Sequence, residues 1–342
     1  MPILVTGGAG YIGSHTVQRL LRDGRSVVVL DNLFRGHRRP MDLLAKAHPG
    51  RLTFIHGDVG DDALLARLFA QHAPDTVMHF AAMAYVGESV DHPLDYYRCN
   101  VSALESLLRA CAQAPSPVSR FVFSSSCSTY GQPDANHIPV REDCPQAPVS
   151  PYGRTKLIGE MILRDFGARP AAADWACTML RYFNVCGCDR SGLLGEDHTP
   201  ETHLVPVVLE AALGRRPHIG IFGTDYPTPD GTCIRDYVHV EDLADAHVRA
   251  LDAMRPRETR AYNVGIGRGY SVREIIDAAR RVTGRDIPVV EQPRRPGDPP
   301  VVFNDPTKIT AELGWKAELT DLDEIIATAW RWMLAHPRGY AS

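Results

Sequence analysis

Several common signals are missing from this chain of 342 residues. No apolar run approaches 18 residues, so no membrane-spanning helix is expected. No basic or acidic block stands out: 37 Lys and Arg are interspersed with 41 Asp and Glu, for a net charge of −4. That balance leaves no footprint for nucleic acid or an anionic membrane surface. The eight cysteines form no C-x-x-C pair and the 14 histidines no H-E-x-x-H, so no metal site is expected. Scattered thiols in a long chain point to reduced cysteines and a cytoplasmic protein. A strand pattern begins at residue 2, so no signal peptide is expected. Internal repeats and low-complexity segments are absent from the sequence. Lysine is the scarcest charge, with four residues against 33 arginines.

What is present is alternation. Short apolar runs at 3–6, 26–31, 51–58, 75–81, 120–126 and 177–183 are separated by helical patterns at 12–23, 61–72, 93–113 and 151–168. Repeated β-α-β order implies a parallel sheet with helices on both faces. After residue 184 glycine, proline and aspartate increase, with helical segments near 203–214, 271–283 and 320–335. A strand-like "AYNVG" (261–265) and a helical pattern near 241–254 are expected to return to the first domain. The expected fold is therefore α/β. A Rossmann-type doubly wound parallel sheet covers residues 1–184, with returning segments near 236–265, and a smaller C-terminal α/β substrate domain takes most of 185–342.

"LVTGGAGYIGSH" (4–15) places Gly7, Gly10 and Gly13 between a strand and a helix. Such glycines allow a tight turn, close approach of backbone to a pyrophosphate, and close helix–strand packing. The helix that follows offers free N–H groups and the positive end of its dipole. Asp31 ends the second strand, 21 residues after Gly10. A carboxylate there accepts ribose hydroxyls and repels a 2′-phosphate, which favours NAD over NADP. Arg35, Arg38 and Arg39 read as a solvated loop. Asp58, in "GDV" (57–59), suits adenine contact and an ordinary turn about equally.

"SPYGRTKLIGE" sets Tyr152 and Lys156 four residues apart, on one helical face. With four lysines and 12 tyrosines in the chain, fewer than one such pair is expected by chance. A phenol titrates near ~10. A neighbouring ammonium and a nicotinium cation both favour the phenolate, bringing it toward the range useful for proton abstraction. "FVFSSSCSTYG" follows the fifth strand and supplies serines suited to hydrogen-bond a reacting hydroxyl, or simply a loop.

These stretches, with "LDNL", "VGESV", "LRYFNVCG", "DGTCIRDYVHV", "YNVGIGRGYSV" and "RRPGDPP", resemble the extended short-chain dehydrogenases/reductases, and within them the UDP-glucose (UDP-galactose) 4-epimerase branch. The likeness runs nearly end to end, and "DGTCIRDYVHV" is the part that the fold alone would not require. It implies NAD-dependent interconversion of UDP-glucose and UDP-galactose through a 4-keto sugar. Ser126, Tyr152 and Lys156 are then the catalytic serine, tyrosine and lysine. Gly7, Gly10, Tyr11, Ile12 and Gly13, with Asp31, Asn32, Asp58 and Val59, would meet the adenosine diphosphate half of NAD. Phe80, Ala81, Ala82, Asn100 and Tyr182 fall on other cofactor-side positions, beside Tyr152 and Lys156. On the UDP-sugar side the resemblance places Asn184, Arg235 and Arg295 at the diphosphate. Phe222 and Tyr237 fall in the uridine and phosphate region, and Asp298 on the uridine ribose. Leu204 and Val302 complete the pocket, Val302 beside the sugar 2-substituent. It also implies a homodimer pairing the helices over 93–113 and 151–168. From pattern alone, Leu94, Tyr97, Val101, Leu104, Leu108 and Cys111 make a stripe that most simply packs on the sheet.

Two positions depart from the family. Ala84 stands where many members carry lysine, and His203 where some carry asparagine near the diphosphate; the role of His203 is open. A sugar-nucleotide 4,6-dehydratase shares the fold and the Tyr-Lys pair, but needs an Asp-Glu pair after the fifth strand, where this chain reads "SCSTYG". A non-catalytic NAD sensor would not need the triad or the nucleotide-sugar residues.

Overall fold

The computed structural model describes residues 1–295 and 297–341. In chain order the first half runs β1 (Ile3–Thr6), α1 (Tyr11–Arg22), β2 (Val27–Asp31), α2 (Arg38–Ala47), β3 (Leu52–His56), α3 (Asp62–His72), β4 (Thr76–His79), α4 (Val86–Asp91), α5 (Pro93–Tyr97), α6 (Ala103–Gln113), β5 (Arg120–Ser124), α7 (Pro151–Gly167) and β6 (Ala176–Tyr182). The second half continues with β7 (Asn184–Cys186), α8 (Leu204–Ala212), β8 (Ile219–Phe222), β9 (Ile234–His239), α9 (Val240–Asp252), β10 (Thr259–Val264), β11 (Gly269–Ser271), α10 (Val272–Thr283), β12 (Val289–Gln292), β13 (Val301–Val302), α11 (Thr307–Leu313) and α12 (Leu322–Ala335).

The chain divides into two units, the first made of 1–131, 146–181 and 244–262, the second of 132–145, 182–243 and 263–342. The first holds a seven-stranded sheet in the order β10-β6-β5-β4-β1-β2-β3. Strands β1 to β6 pair in parallel. Runs such as "VVVLD" are buried along their whole length, as a sheet covered on both faces requires. Strand order reverses beside β1, so the carboxyl ends of β1 and β4 mark the switch point where ligands of such sheets bind. The sheet shares a core with α3, α6 and α7 through Leu30, Leu68, Leu104, Leu108, Phe121, Phe123 and Leu163.

The second unit centres on β9, which pairs in parallel with β7 and β13 and antiparallel with β11. Its core is built by α8, α10 and α12 from Val208, Leu209, Ile275, Ile276, Ile325, Ile326 and Trp332. Local signals start these helices. Ser271 and Glu274 form a reciprocal cap on α10, and Asp321 accepts from the Glu324 amide at the head of α12.

Three departures from the sequence reading have physical causes. The stretch expected as a solvated loop is one only through His37: Arg38 and Arg39, though exposed, open α2, with Arg38 over the Phe54 ring and paired with Asp42. Arg35 pairs with Glu88 and lies over Tyr85. The helix expected over 93–113 breaks into α5, a π-helical turn at Arg98–Ser102, and α6. α11 forms where no element is expected. Among the described residues, no helix is long and apolar enough to cross a membrane.

Candidate active site

The first unit builds the nucleotide turn from backbone. Gly7 has φ +71°, and a Cβ there would meet Ala81 N at 2.4 Å; one on Gly13 would meet Gly7 O at 2.2 Å. A side chain at Gly7 would push the turn off the backbone that follows β4, and one at Gly13 would push α1 off the turn itself. Gly10 caps α1 with no side-chain hydrogen bond, and the first turn carries no acid. That helix end is left positive for a phosphate. Asp31 is buried, its Oδ2 accepting from Ala9 N (2.9 Å) and Oδ1 from Leu33 N (2.8 Å). A carboxylate has about four acceptor sites, so two remain for hydroxyls. Burial pushes its carboxyl up, with the two amides pulling back. Asn32 donates to Asp58 at 2.7 Å, tying the ends of β2 and β3 together. Val59 is buried beside them. The Phe80 ring lies 4.7 Å from that of His247, tilted by 40°, and the Phe80 and Ala81 amides both donate to Thr6 O, turning the chain away from β4 toward Ala82. These features fit a dinucleotide: a side-chain-free turn for pyrophosphate and a fixed carboxylate for ribose.

Asn100 sits on the π turn, an insertion often found at functional positions. Its amide accepts from Met83 N (2.8 Å) and donates to Met83 O (2.9 Å) and Thr155 Oγ1 (3.0 Å). The widened turn thus holds the loop after β4 against α7.

α7 begins with Ser150 accepting from Gly153 N and Pro151 in the first turn, so Tyr152 lies at the very start of the helix. Tyr152 and Lys156 are both buried. The Tyr152 ring meets Tyr96 edge-on at 6.4 Å, and Lys156 Nζ lies 5.8 Å from its centroid. Nζ donates to Ser124 O at 2.8 Å, at the carboxyl end of β5. Burial pushes the Lys156 ammonium down to about 8. Ser126 follows on the same loop, its Oγ accepting from Ser128 N. A Cβ on Gly153 would strike Ser128 O at 2.5 Å, so glycine lets the head of α7 close on that turn. One helix turn on, Glu160 takes a two-pronged grip from Arg181 (2.8 and 2.7 Å) and accepts from Ser125 Oγ at 2.6 Å. Arg181 also donates to Tyr130. Burial alone would push the Glu160 carboxyl up, but the hydrogen bonds and charge of Arg181 outweigh it and hold it below the usual range.

In the second unit, strand register gathers four of the residues expected on a UDP-sugar. Asn184 on β7 lies opposite Tyr237 on β9, and Val302 on β13 opposite Arg235. Arg235 donates to Asp298 at 3.2 Å. Arg295 lies 3.8 Å over the Phe222 ring. Leu204 begins α8, and His203 precedes it.

With that geometry in place, comparison assigns the chain. The sequence profile of the NAD dependent epimerase/dehydratase family matches residues 3–265. The chain belongs to this family. The UDP-glucose 4-epimerase of Halalkalibacterium halodurans is 46% identical over 343 residues, covering 100% of this chain and 98% of the relative. UDP-arabinose 4-epimerase 1 of Arabidopsis thaliana is also 46% identical, covering 99% of this chain and 80% of the relative. The crystal structure of UDP-glucose 4-epimerase from Bifidobacterium longum, in complex with NAD+ and UDP, superposes with a TM-score of 0.93 at 40% identity. That match covers 99% of this chain and all of that one.

Within this family member, three supports escape the sequence reading. Tyr96 packs on Tyr152, its hydroxyl accepting from the Tyr85 amide and lying 2.8 Å from Glu88 Oε2. The Glu160–Arg181 pair joins residues 21 apart, with no local spacing to announce it. In the second unit, Glu196, His198, Glu201 and His203 bring four metal-capable atoms within 4.8 Å of one another. The expectation of no metal site passes over this group, whose donors follow E-x-H-x-x-E-x-H, a spacing outside the motifs sought.

Proposed function

We propose that this chain interconverts UDP-glucose and UDP-galactose by oxidising the sugar at C4, turning the 4-keto sugar over and reducing it on the other face. The observation that carries the reading is the buried Tyr152–Lys156 pair at the head of α7, with Lys156 anchored on the Ser124 carbonyl. The first unit holds NAD, and the second binds the UDP-sugar. When bound, NAD supplies reversible hydride acceptance at C4. Tyr152 takes the proton of the 4-hydroxyl and returns it on the way back. Ser126 orients the 4-oxygen, and Lys156 holds the ribose and favours the phenolate. Arg235 and Arg295 offer planar forks to the diphosphate, and Asn184 adds a neutral donor. Asp298 receives the uridine ribose hydroxyls, and Phe222 and Tyr237 border the base and phosphates. His203 and Leu204 stand on the diphosphate side.

The test is equilibration of UDP-galactose with UDP-glucose by purified protein without added cofactor. A panel with UDP-arabinose and the UDP-N-acetylhexosamines discriminates substrates, since the Arabidopsis relative at equal identity is named for UDP-arabinose. Protein that retains NAD yet turns over no sugar of the panel would leave the sensor reading instead.

Asp31→Ala is expected to erode the preference for NAD over NADP, because repulsion of a 2′-phosphate disappears with the carboxylate. Extraction of the native protein that released chiefly NADP would overturn the role of Asp31.

Val302 is small where a tyrosine would wall off the 2-substituent, so turnover of UDP-N-acetylglucosamine is also expected. Val302→Tyr should remove that activity and largely spare UDP-galactose. A single methylene shifts pocket selectivity by ~10–200-fold, and a ring in a packed wall is a harder obstacle. No turnover of the N-acetylated sugar by wild type, where UDP-galactose is consumed, would refute it.

Exposed Val86, Val90, Leu94 and Met161 on α4, α5 and α7 support pairing with a second copy, a homodimer testable by sedimentation. The deeper part of the 93–113 stripe, Leu104, Leu108 and Cys111, is used within the first unit's own core. Eight free cysteines, six of them buried, support a reducing, cytoplasmic setting.

A further inference from the structure

The segment Glu196–His203 precedes α8 in the second unit and carries a polar cluster that the epimerase chemistry does not use as a whole. His198 Nδ1 lies 3.4 Å from Glu196 Oε1 and 3.2 Å from Glu201 Oε2. His203 Nδ1 lies 3.4 Å from Glu196 Oε1 and 2.8 Å from Glu201 Oε1. Four ligands bonded at about 2.0 Å around a tetrahedral zinc ion stand about 3.3 Å from each other. With Glu201 Oε2 as its ligand atom, the three separations of 3.4, 3.4 and 3.2 Å match that edge, and the 2.8 Å contact is to the other oxygen, Oε1. The Glu196 side chain is 4% exposed, and its Oε1 accepts no directed hydrogen bond although both imidazoles are close. The two imidazoles pair with that oxygen only at 3.4 Å, so a cation bonded at about 2.0 Å would meet it more closely.

The backbone holds the donors in place. Glu201 Oε1 accepts from Thr202 N (2.7 Å) and His203 N (2.8 Å), and Arg216 donates to Glu201 O (3.0 Å). Upstream, Gly195 N donates to Tyr340 Oη (2.8 Å), and Tyr340 N donates to Asp197 Oδ2 (2.7 Å). Ligand positions fixed by hydrogen bonds are what tight metal sites need.

We propose that Glu196, His198, Glu201 and His203 form a tetrahedral site for one divalent transition-metal cation, zinc above all. Two carboxylates balance its charge, and two imidazole nitrogens give it the borderline-soft donors zinc prefers. Four protein ligands leave no open position, so the ion is structural: it pins the 196–203 segment to the start of α8.

The test uses tag-free holoenzyme, treated with chelator and dialysed against Co²⁺ or Zn²⁺. One metal per chain is expected. Cobalt should show the intense visible bands of tetrahedral coordination without a thiolate charge-transfer band, which separates this site from the cysteines. Zinc should raise the melting temperature, as a ligand of the folded state does. Glu196→Gln and His198→Ala should each weaken Co²⁺ binding by about a hundredfold or more. That exceeds the ~10–100-fold cost of losing a residue that only supports a ligand. Should either variant misfold by circular dichroism, the wild-type stoichiometry and cobalt spectrum decide alone. No uptake by wild type would leave a hydrogen-bonded cluster only and overturn the proposal. So would a thiolate signature, octahedral bands, or undiminished binding in folded variants.

Discussion

Tyr152→Phe is expected to fold, keep its NAD and lose turnover of UDP-galactose by at least ~10²–10⁴-fold, the usual cost of removing a general base. The substitution deletes one hydroxyl and leaves the ring, so the edge-on contact with Tyr96 and the packing of α7 survive. Lys156 keeps its bond to Ser124 O and so its place at the carboxyl end of β5. What disappears is the only phenol the mechanism asks to carry the 4-hydroxyl proton. Cofactor content and kcat should therefore separate: bound NAD unchanged, turnover collapsed. Near wild-type turnover in the variant would remove Tyr152 from the chemistry.

The second large effect concerns stability. Arg181→Met takes the two-pronged partner from Glu160, whose side chain is 0% exposed, and leaves it Arg164 on one oxygen at 3.0 Å and the Ser125 hydroxyl on the other. Breaking a buried pair from one side typically costs ~3–5 kcal/mol, and the remaining Arg164 contact holds the loss toward the lower figure. At about 2–4 °C per kcal/mol for a domain of this size, melting should fall by roughly 6–20 °C. The sign with pH follows from Glu160, whose folded pKa is held down by Arg181. The pair's contribution is present above the carboxylate's unfolded pKa and is lost as pH falls through the folded one. The gap between variant and wild type should accordingly narrow in acid. Adding Glu160→Leu to Arg181→Met should recover much of the loss, because the buried, under-compensated charge is then gone. Equal melting of wild type and Arg181→Met at neutral pH would show that the pair does not hold α7 on β6.

What the sequence made legible is what short spacing encodes. The glycine turn and the Tyr152–Lys156 register each lie within one strand–turn–helix or one helical turn, while Asp31 reaches Ala9 22 residues back and is legible because it ends the next strand of the same β-α-β unit. α2 was hidden because a run of arginines with Gly36 and Pro40 looks solvated, whereas Arg38 gains the Phe54 ring, which only the β3 neighbour supplies. The break inside 93–113 depends on Asn100 reaching Met83, 17 residues back, a bond that apolar periodicity does not register. The Glu196–His203 group lacks any period because a loop, not a helix, presents it.

The order of strands also sets a timetable for synthesis. β6 ends at residue 182, but its outer neighbour β10 does not begin until 259 and is complete only at 264. At ribosomal speeds of about 5–20 residues per second, the far edge of β6 waits roughly 4–16 s for its partner. Throughout that interval a nascent chain carries an open parallel edge, the kind of surface on which stray strands pair. A ribosome stalled anywhere between these two strands would hold that edge open for as long as the pause lasted.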